Sequence, residues 1–168
     1  MPNWDTSQVR SMIGFKGGKH TAFARKDSFN GDISKWNTSQ VTDMMYMFNE
    51  AIAFDNNIGT WDTSQVTSMY AMFEGAATFN APIGDWDVSS VTNMASMLEG
   101  ATAFNAPIGD WDVSSVTEMG GMLSGATSFN QRLGGQWATS TADKFRMFYN
   151  GCPGSIEGKT NDANGTPV

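Results

Sequence analysis

The sequence predicts a repeat solenoid. Over residues 1–150 it reads as about five to six units of about 25 residues, each with one short parallel β-strand and one short helical segment. Three observations carry this reading. The string FNAPIGDWDVSSVT occurs at residues 79–92 and again, letter for letter, at residues 104–117. Tryptophans fall at positions 4, 36, 61, 86, 111 and 137, with gaps of 32, 25, 25, 25 and 26. Around each tryptophan the same apolar types return at fixed offsets.

Seven residues before Trp stand Phe29, Phe54, Phe79 and Phe104, and three before stand Ile33, Ile58, Ile83 and Ile108. Five after come Val9, Val41, Val66, Val91 and Val116, and eight after come Met12, Met44, Met69, Met94 and Met119. A unit this short has no interior of its own, so its apolar residues must be buried against the next unit. Stacked at the roughly 4.8 Å spacing of paired strands, Phe on Phe and Trp on Trp give one continuous core. Trp36, Trp61, Trp86, Trp111 and Trp137 are therefore read as structural and inward-facing. Aromatic rows that bind sugars would have to lie on an exposed face.

Within a unit, the Trp-x-Val/Thr portion alternates as a strand does. The Met-x-x-Met-Phe/Leu portion has the three- and four-residue spacing of one or two helical turns, and Gly75, Gly100, Gly125 and Gly151 fall where such a turn would stop. Pro82 and Pro107 exclude a helix through the next connection. The long first gap is a standard unit plus a seven-residue insertion near residues 16–28. It carries Lys16, Lys19, His20, Arg25 and Lys26, read either as a solvated loop or as a basic contact for an acidic surface. Residues 151–168 lose the apolar columns and are expected to be a cap remnant running into a flexible tail.

Composition bounds the function. Only three leucines occur, and Met, Phe and Trp fill their place. No run reaches the roughly 18 apolar residues of a membrane span, and the start MPNWDTSQVR has no charged leader with an apolar stretch behind it. Cys152 is the one cysteine, read as a plain thiol. The net charge is −7, but no Lys or Arg occurs between Lys35 and Arg132, where eleven carboxylates stand. Such a stretch repels phosphate backbones and attracts cations or basic partners, so no nucleic-acid partner is expected.

The string FNAPIGDWDVSSVTNMASMLEGA resembles the 25–26-residue repeat of BspA-like bacterial surface proteins, over about residues 4–150. The spacing is also similar to leucine-rich repeats, with Ile83, Trp86, Val88 and Val91 at the apolar and ladder positions. The resemblance implies a leucine-rich-repeat-like fold, an extracellular or surface-anchored setting, a role in adhesion or interaction, and no catalytic residues.

Beside each inward tryptophan, strand geometry would turn neighbours outward. Asp62, Asp85, Asp87, Asp110 and Asp112, with Ser64, Ser89 and Ser114, would then share one sheet face. Two readings stay open. Each Asp after Trp accepts a hydrogen bond from the backbone two residues on, a local turn device that Asn37 would serve equally well. Alternatively the face holds a basic partner or a divalent cation; calcium takes six to eight oxygens, although no DxDxDG loop occurs. No other cofactor is expected.

The resulting expectation is a non-catalytic interaction or adhesion module, with a protein or a surface glycan as partner. Two other classes are weighed. Thr42, Thr67, Thr92 and Thr117 form one column, as an ice- or mineral-binding solenoid requires, and uncapped solenoid ends would allow head-to-tail filaments.

Overall fold

A computed structural model of the chain describes residues 5–14 and 23–168. Successive units lie side by side in parallel, each pairing with the unit one period later. Parallel bridges join Ser11 to Asp43, Asp43 to Ser68, Ser68 to Asn93, Asn93 to Glu118 and Glu118 to Asp143. From these bridges a ladder runs on. The N–H groups of Met44, Tyr46, Phe48 and Glu50 donate to the carbonyls of Ser68, Tyr70, Met72 and Glu74 at 2.6–3.1 Å. Met69, Ala71, Phe73 and Gly75 repeat the pattern onto the following coil.

The elements differ from those the spacing predicts. No helix forms at Met-x-x-Met, and no strand at Trp-x-Val. Along the ladder only alternate residues donate to the next coil. Those between donate backwards within their own coil, Met47 to Met44, Asn49 to Tyr46 and Ala51 to Phe48. Every fourth residue sits in the left-handed region: Tyr46 and Glu50 (both φ 55°), Ala71 (50°) and Gly75 (73°), Ser96 (54°) and Gly100 (71°). A helix would have satisfied all its own N–H groups and left none for the neighbouring coil. The observed run of four-residue turns keeps half of them for that purpose. It also explains why the buried residues recur at three and four, the spacing that reads as helical.

The interior consists of the predicted columns. Phe29, Phe54, Phe79, Phe104 and Phe129 stack with centroids 5.9–6.1 Å apart and planes within 8°. Trp61, Trp86, Trp111 and Trp137 are at most 4 % exposed, and Trp36 is half-buried. Each buried indole needs a partner for its N–H. The acceptor is the isoleucine carbonyl of the preceding coil: Ile33 for Trp61, Ile58 for Trp86, Ile83 for Trp111 and Ile108 for Trp137, at 3.1–3.2 Å. An Asn/Asp ladder runs beside the Phe column. Asp55, Asn80, Asn105 and Asn130 each donate their backbone N–H to the side-chain oxygen of the residue 25 earlier.

In sequence the insertion falls between Gly14 and Arg25 of the first coil. Gly14 donates to the Met45 carbonyl and Arg25 to that of Asn49, both at 2.7 Å. Eleven residues (25 − 14) separate them, where the next coil has four (50 − 46) between Tyr46 and Glu50. The difference is the predicted seven. Lys16, Lys19 and His20 lie outside the described residues.

At the other end residues 151–168, expected as a cap remnant and flexible tail, fold back against the last coil. Strand β1 (Arg132–Leu133) pairs in parallel with β2 (Ser155–Ile156), and a four-residue helix α1 (Gln136–Thr139) carries Trp137 inward. Beyond β2 the chain turns back, with Asn161 bridged antiparallel to Pro167. Phe148 N–H donates to the Gly165 carbonyl at 2.8 Å and Arg146 N–H to Thr166 Oγ1 at 2.9 Å. The returning segment thus stands where another coil would, and supplies its acceptors.

Candidate functional site

The acids beside the tryptophans form an exposed column, but not on a sheet. Asp62, Asp85, Asp87, Asp110 and Asp112 all lie at the surface. Those that follow a tryptophan are held by their own chain. Asp62 Oδ1 accepts Ser64 N–H at 3.1 Å and Ser64 Oγ–H at 2.7 Å, Asp87 accepts Ser89 at 3.0 and 2.6 Å, and Asp112 accepts Ser114 N–H at 3.0 Å. Asn37 makes the same pair of bonds to Ser39, at 3.1 and 2.8 Å. The turn reading therefore accounts for these side chains, and the serines point at the aspartates. Among the described residues no three His, Cys, Asp or Glu converge as a metal would require.

The serine hydroxyl and N–H stabilise the ionised form of Asp87 and Asp112 and lower both pKa values, slightly opposed at Asp87 by desolvation and by Asp112. Asp5 and Asp32 are lowered in the same way by Ser7 and Ser34. A carboxyl with a lowered folded value adds stability that is complete above its ordinary value of 3.8 and is lost as pH falls through the lowered one. The melting temperature is thus expected to be flat down to about pH 5 and to fall gently below about pH 4. The fall is shallow because these groups are exposed, and Asp87→Asn should reduce it. A Tm rising on acidification would contradict the assignment.

The threonine column is likewise tied into the backbone. Thr67, Thr92 and Thr117 each donate both N–H and Oγ1–H to the threonine carbonyl of the coil before, at 2.8–3.2 Å, and Thr42 does so to Arg10. Of the basic insertion, Arg25 pairs with Glu50 of the next coil, Nε to Oε2 at 2.8 Å. Both side chains are about half exposed, so the pair is worth roughly 0–1 kcal/mol. Lys26 is exposed. Cys152 is buried, and burial pushes its thiol up to about 11, so it is not an activated nucleophile.

A site that the sequence reading missed lies on the outer side of the ladder. The register two residues past each bridge reads Met45, Tyr70, Ala95, Gly120 and Phe145, and the next reads Tyr46, Ala71, Ser96, Gly121 and Arg146. Small residues in the fourth and fifth coils thus stand between aromatic ones on either side. Tyr46 and Tyr70 meet edge to face at 5.1 Å, and burial with the Tyr70 hydrogen bond pushes the Tyr46 phenol up to about 12. At the far wall, the Arg146 guanidinium lies 5.0 Å from the Phe145 centroid and 5.1 Å from that of Tyr149.

Against this wall lies an open cavity of about 350 Å³. Gly120 and Gly121 form its floor, Ser96, Glu99, Ser124, Asp143 and Asn150 its polar edge, and Phe145, Arg146 and Tyr149 its wall. Glu99 Oε2 reaches across to within 3.4 Å of where a Gly121 side chain would begin. The size is at the lower end of small-molecule sites. The signal for it was present in the sequence: the units spelled FNAPIGDWDVSSVT diverge immediately afterwards, NMASMLEGA against EMGGMLSGA.

A family model described as Mycoplasma protein of unknown function, DUF285, matches residues 1–89 and again residues 53–157. The chain belongs to the DUF285 family. The two DUF285 matches overlap in the middle coils, as a periodic chain allows, and between them take in the ladder, the aromatic columns and the cavity. No curated protein and no solved structure matches. Among the described residues no helix is long and apolar enough to cross a membrane.

Proposed function

We propose that the chain is a non-catalytic binding module of the cell surface or extracellular space, a leucine-rich-repeat-like solenoid of the BspA-like kind. Its outer faces contact a partner protein or glycan, while its inner columns only hold the coils together. One observation supports the reading above others. The inward positions repeat almost unchanged, whereas the outward ladder position runs Met45, Tyr70, Ala95, Gly120, Phe145. Stacking alone asks nothing of that outer column, and recognition asks for variety in it. The uninterrupted acidity between Lys35 and Arg132 supports a partner with basic character on the aspartate side.

The test separates charge from fold. Asn37 makes the turn bonds that Asp62, Asp87 and Asp112 make, so Asp62→Asn, Asp87→Asn and Asp112→Asn together keep the turns and take the net charge from −7 to −4. Beads coated with the triple variant are expected to melt like the parent protein but adhere several-fold less to cell monolayers. Adhesion of the parent should weaken with salt as the Debye length shrinks. Equal, salt-independent adhesion of both proteins would reject the acidic face as the contact, and no adhesion by the parent would reject the module.

A further inference from the structure

We infer that the cavity between Glu99 and Phe145 is a subsite for one ring of a neutral saccharide. The inference rests on the reading of the chain as a binding module and names the ligand chemistry of one part of it. A pyranose presents an apolar C–H face and a rim of hydroxyls, each both donor and acceptor, and the cavity offers the complement of both. Phe145 and Tyr149, 53 % and 40 % exposed, are two of the four large hydrophobic side chains left exposed among the described residues. Their rings carry partial negative charge on the faces, which suits polarised C–H groups. The guanidinium of Arg146 lies against both rings, fixing their positions before any ligand arrives and so limiting the ordering that binding requires.

The polar edge matches the hydroxyl rim. Glu99 and Asp143 accept, Ser96 and Ser124 both donate and accept, and the Asn150 amide does each at a different atom. Asp143 Oδ1 already takes the Phe145 N–H at 2.9 Å, which leaves its other oxygen for a ligand. Charge narrows the choice further. Two carboxylates beside one guanidinium disfavour an anion, and Arg146 in the wall disfavours a compact cation, so an uncharged ligand fits.

The backbone argues against an extended peptide. Strand addition needs a row of unpaired N–H and C=O groups. Here Ser96 N–H donates to Gly120, Leu98 to Met122, Gly121 to Phe145 and Leu123 to Met147, so the floor's own ladder is closed. Recognition on this face must go through side chains, which suits a ligand whose rim is all hydroxyls.

Gly120 permits a clean test. Its φ is not in the left-handed region, the atom nearest to an added Cβ is the Phe145 carbonyl oxygen at 3.6 Å, and the same register position two coils earlier already carries Tyr70. Gly120→Tyr therefore fills the cavity in a way the fold tolerates elsewhere. The experiment is saturation-transfer NMR on the full chain with methyl glycosides of glucose, galactose, mannose and N-acetylglucosamine. N-acetylneuraminic acid, glucosamine and a lysine-rich pentapeptide are the comparison probes.

At least one neutral glycoside is expected to receive saturation from the Phe145 and Tyr149 rings. Its affinity should fall by roughly tenfold or more in both Gly120→Tyr and Phe145→Ala. Should Gly120→Tyr fail to fold, Phe145→Ala, at an exposed position, carries the comparison. No transfer to any neutral glycoside, transfer undiminished in the folded variants, or transfer only to a charged probe or the peptide would each overturn the inference. Adhesion that persists while every neutral glycoside fails would overturn this subsite and leave the binding-module reading in place.

Discussion

Replacing Trp86 by alanine is expected to lower the stability of the chain by about 4 kcal/mol, within the range for emptying a large aromatic site. Three effects act together. The indole is 4 % exposed and belongs to the stacked interior, so its loss leaves a cavity lined by residues of two coils. The ring lies 6.3 Å from Phe73 and loses that contact. The Ile58 carbonyl loses its indole donor at 3.1 Å and keeps only the Trp61 backbone N–H. Because a repeat chain is stable only through its neighbours, a defect in a middle coil weakens the contacts on both sides. Trp86→Phe keeps most of the packing but drops the donor and should cost about 2 kcal/mol. Trp36→Ala, at a half-buried ring, should cost less than Trp86→Ala. Urea unfolding of the three variants gives the order directly. A loss below about 1 kcal/mol for Trp86→Ala would mean that the column does not hold the coils together.

Gly165→Val is expected to release the C-terminal cap. Gly165 has φ +71°, and a Cβ there would collide with the carbonyl of Phe148 and the nitrogen of Tyr149. No small adjustment relieves both faults, since the collision is with backbone. The turn that carries it is tightly bound: Asp162 Oδ1 accepts the N–H groups of Asn164 and Thr166 at 2.8 and 2.9 Å. Lifting this segment leaves the Phe148 N–H without the Gly165 carbonyl and the Arg146 N–H without Thr166 Oγ1. A destabilisation of about 2–4 kcal/mol is expected. The last coil would then present an unpaired ladder edge, the arrangement that invites another chain. The variant should therefore associate as concentration rises in light scattering, while the parent should not do so through this end. Unchanged stability together with unchanged light scattering would show that the tail is not a cap.

What the sequence made legible was the interior. Phe79 and Phe104, or Trp111 and Trp137, must recur in register because each packs on its equivalent, and that constraint is written directly into residue type. The turn role of the aspartates was legible for the same reason: Asn37 stands where Asp stands elsewhere and keeps only what the two side chains share. The backbone elements were not legible. Met44, Met47 and Phe48 are spaced as a helix spaces its buried face, but a chain of four-residue turns with left-handed corners at Tyr46 and Glu50 produces the same intervals. Most residues avoid that region, so nothing in Tyr or Glu announces it. The tail was legible as a cap remnant from its lost apolar columns, but not how it caps, which is through backbone and one glycine. The cavity hid because Gly120 and Gly121 read as gaps in a pattern, and only their place between Glu99 and Phe145 makes a floor of them.

Hydrogen exchange at the indole N–H groups tests the central claim most directly, because each coil is joined to the one before through a buried indole and an isoleucine carbonyl. In a two-dimensional NMR spectrum of the native protein in D₂O, the side-chain N–H signals of Trp61, Trp86, Trp111 and Trp137 should persist long after exposed amides have vanished. They should disappear together only under conditions that unfold the whole chain. Exchange of all four at the rate of a free indole would contradict the account, since the rings would then be in water and the coils would need some other means of holding together.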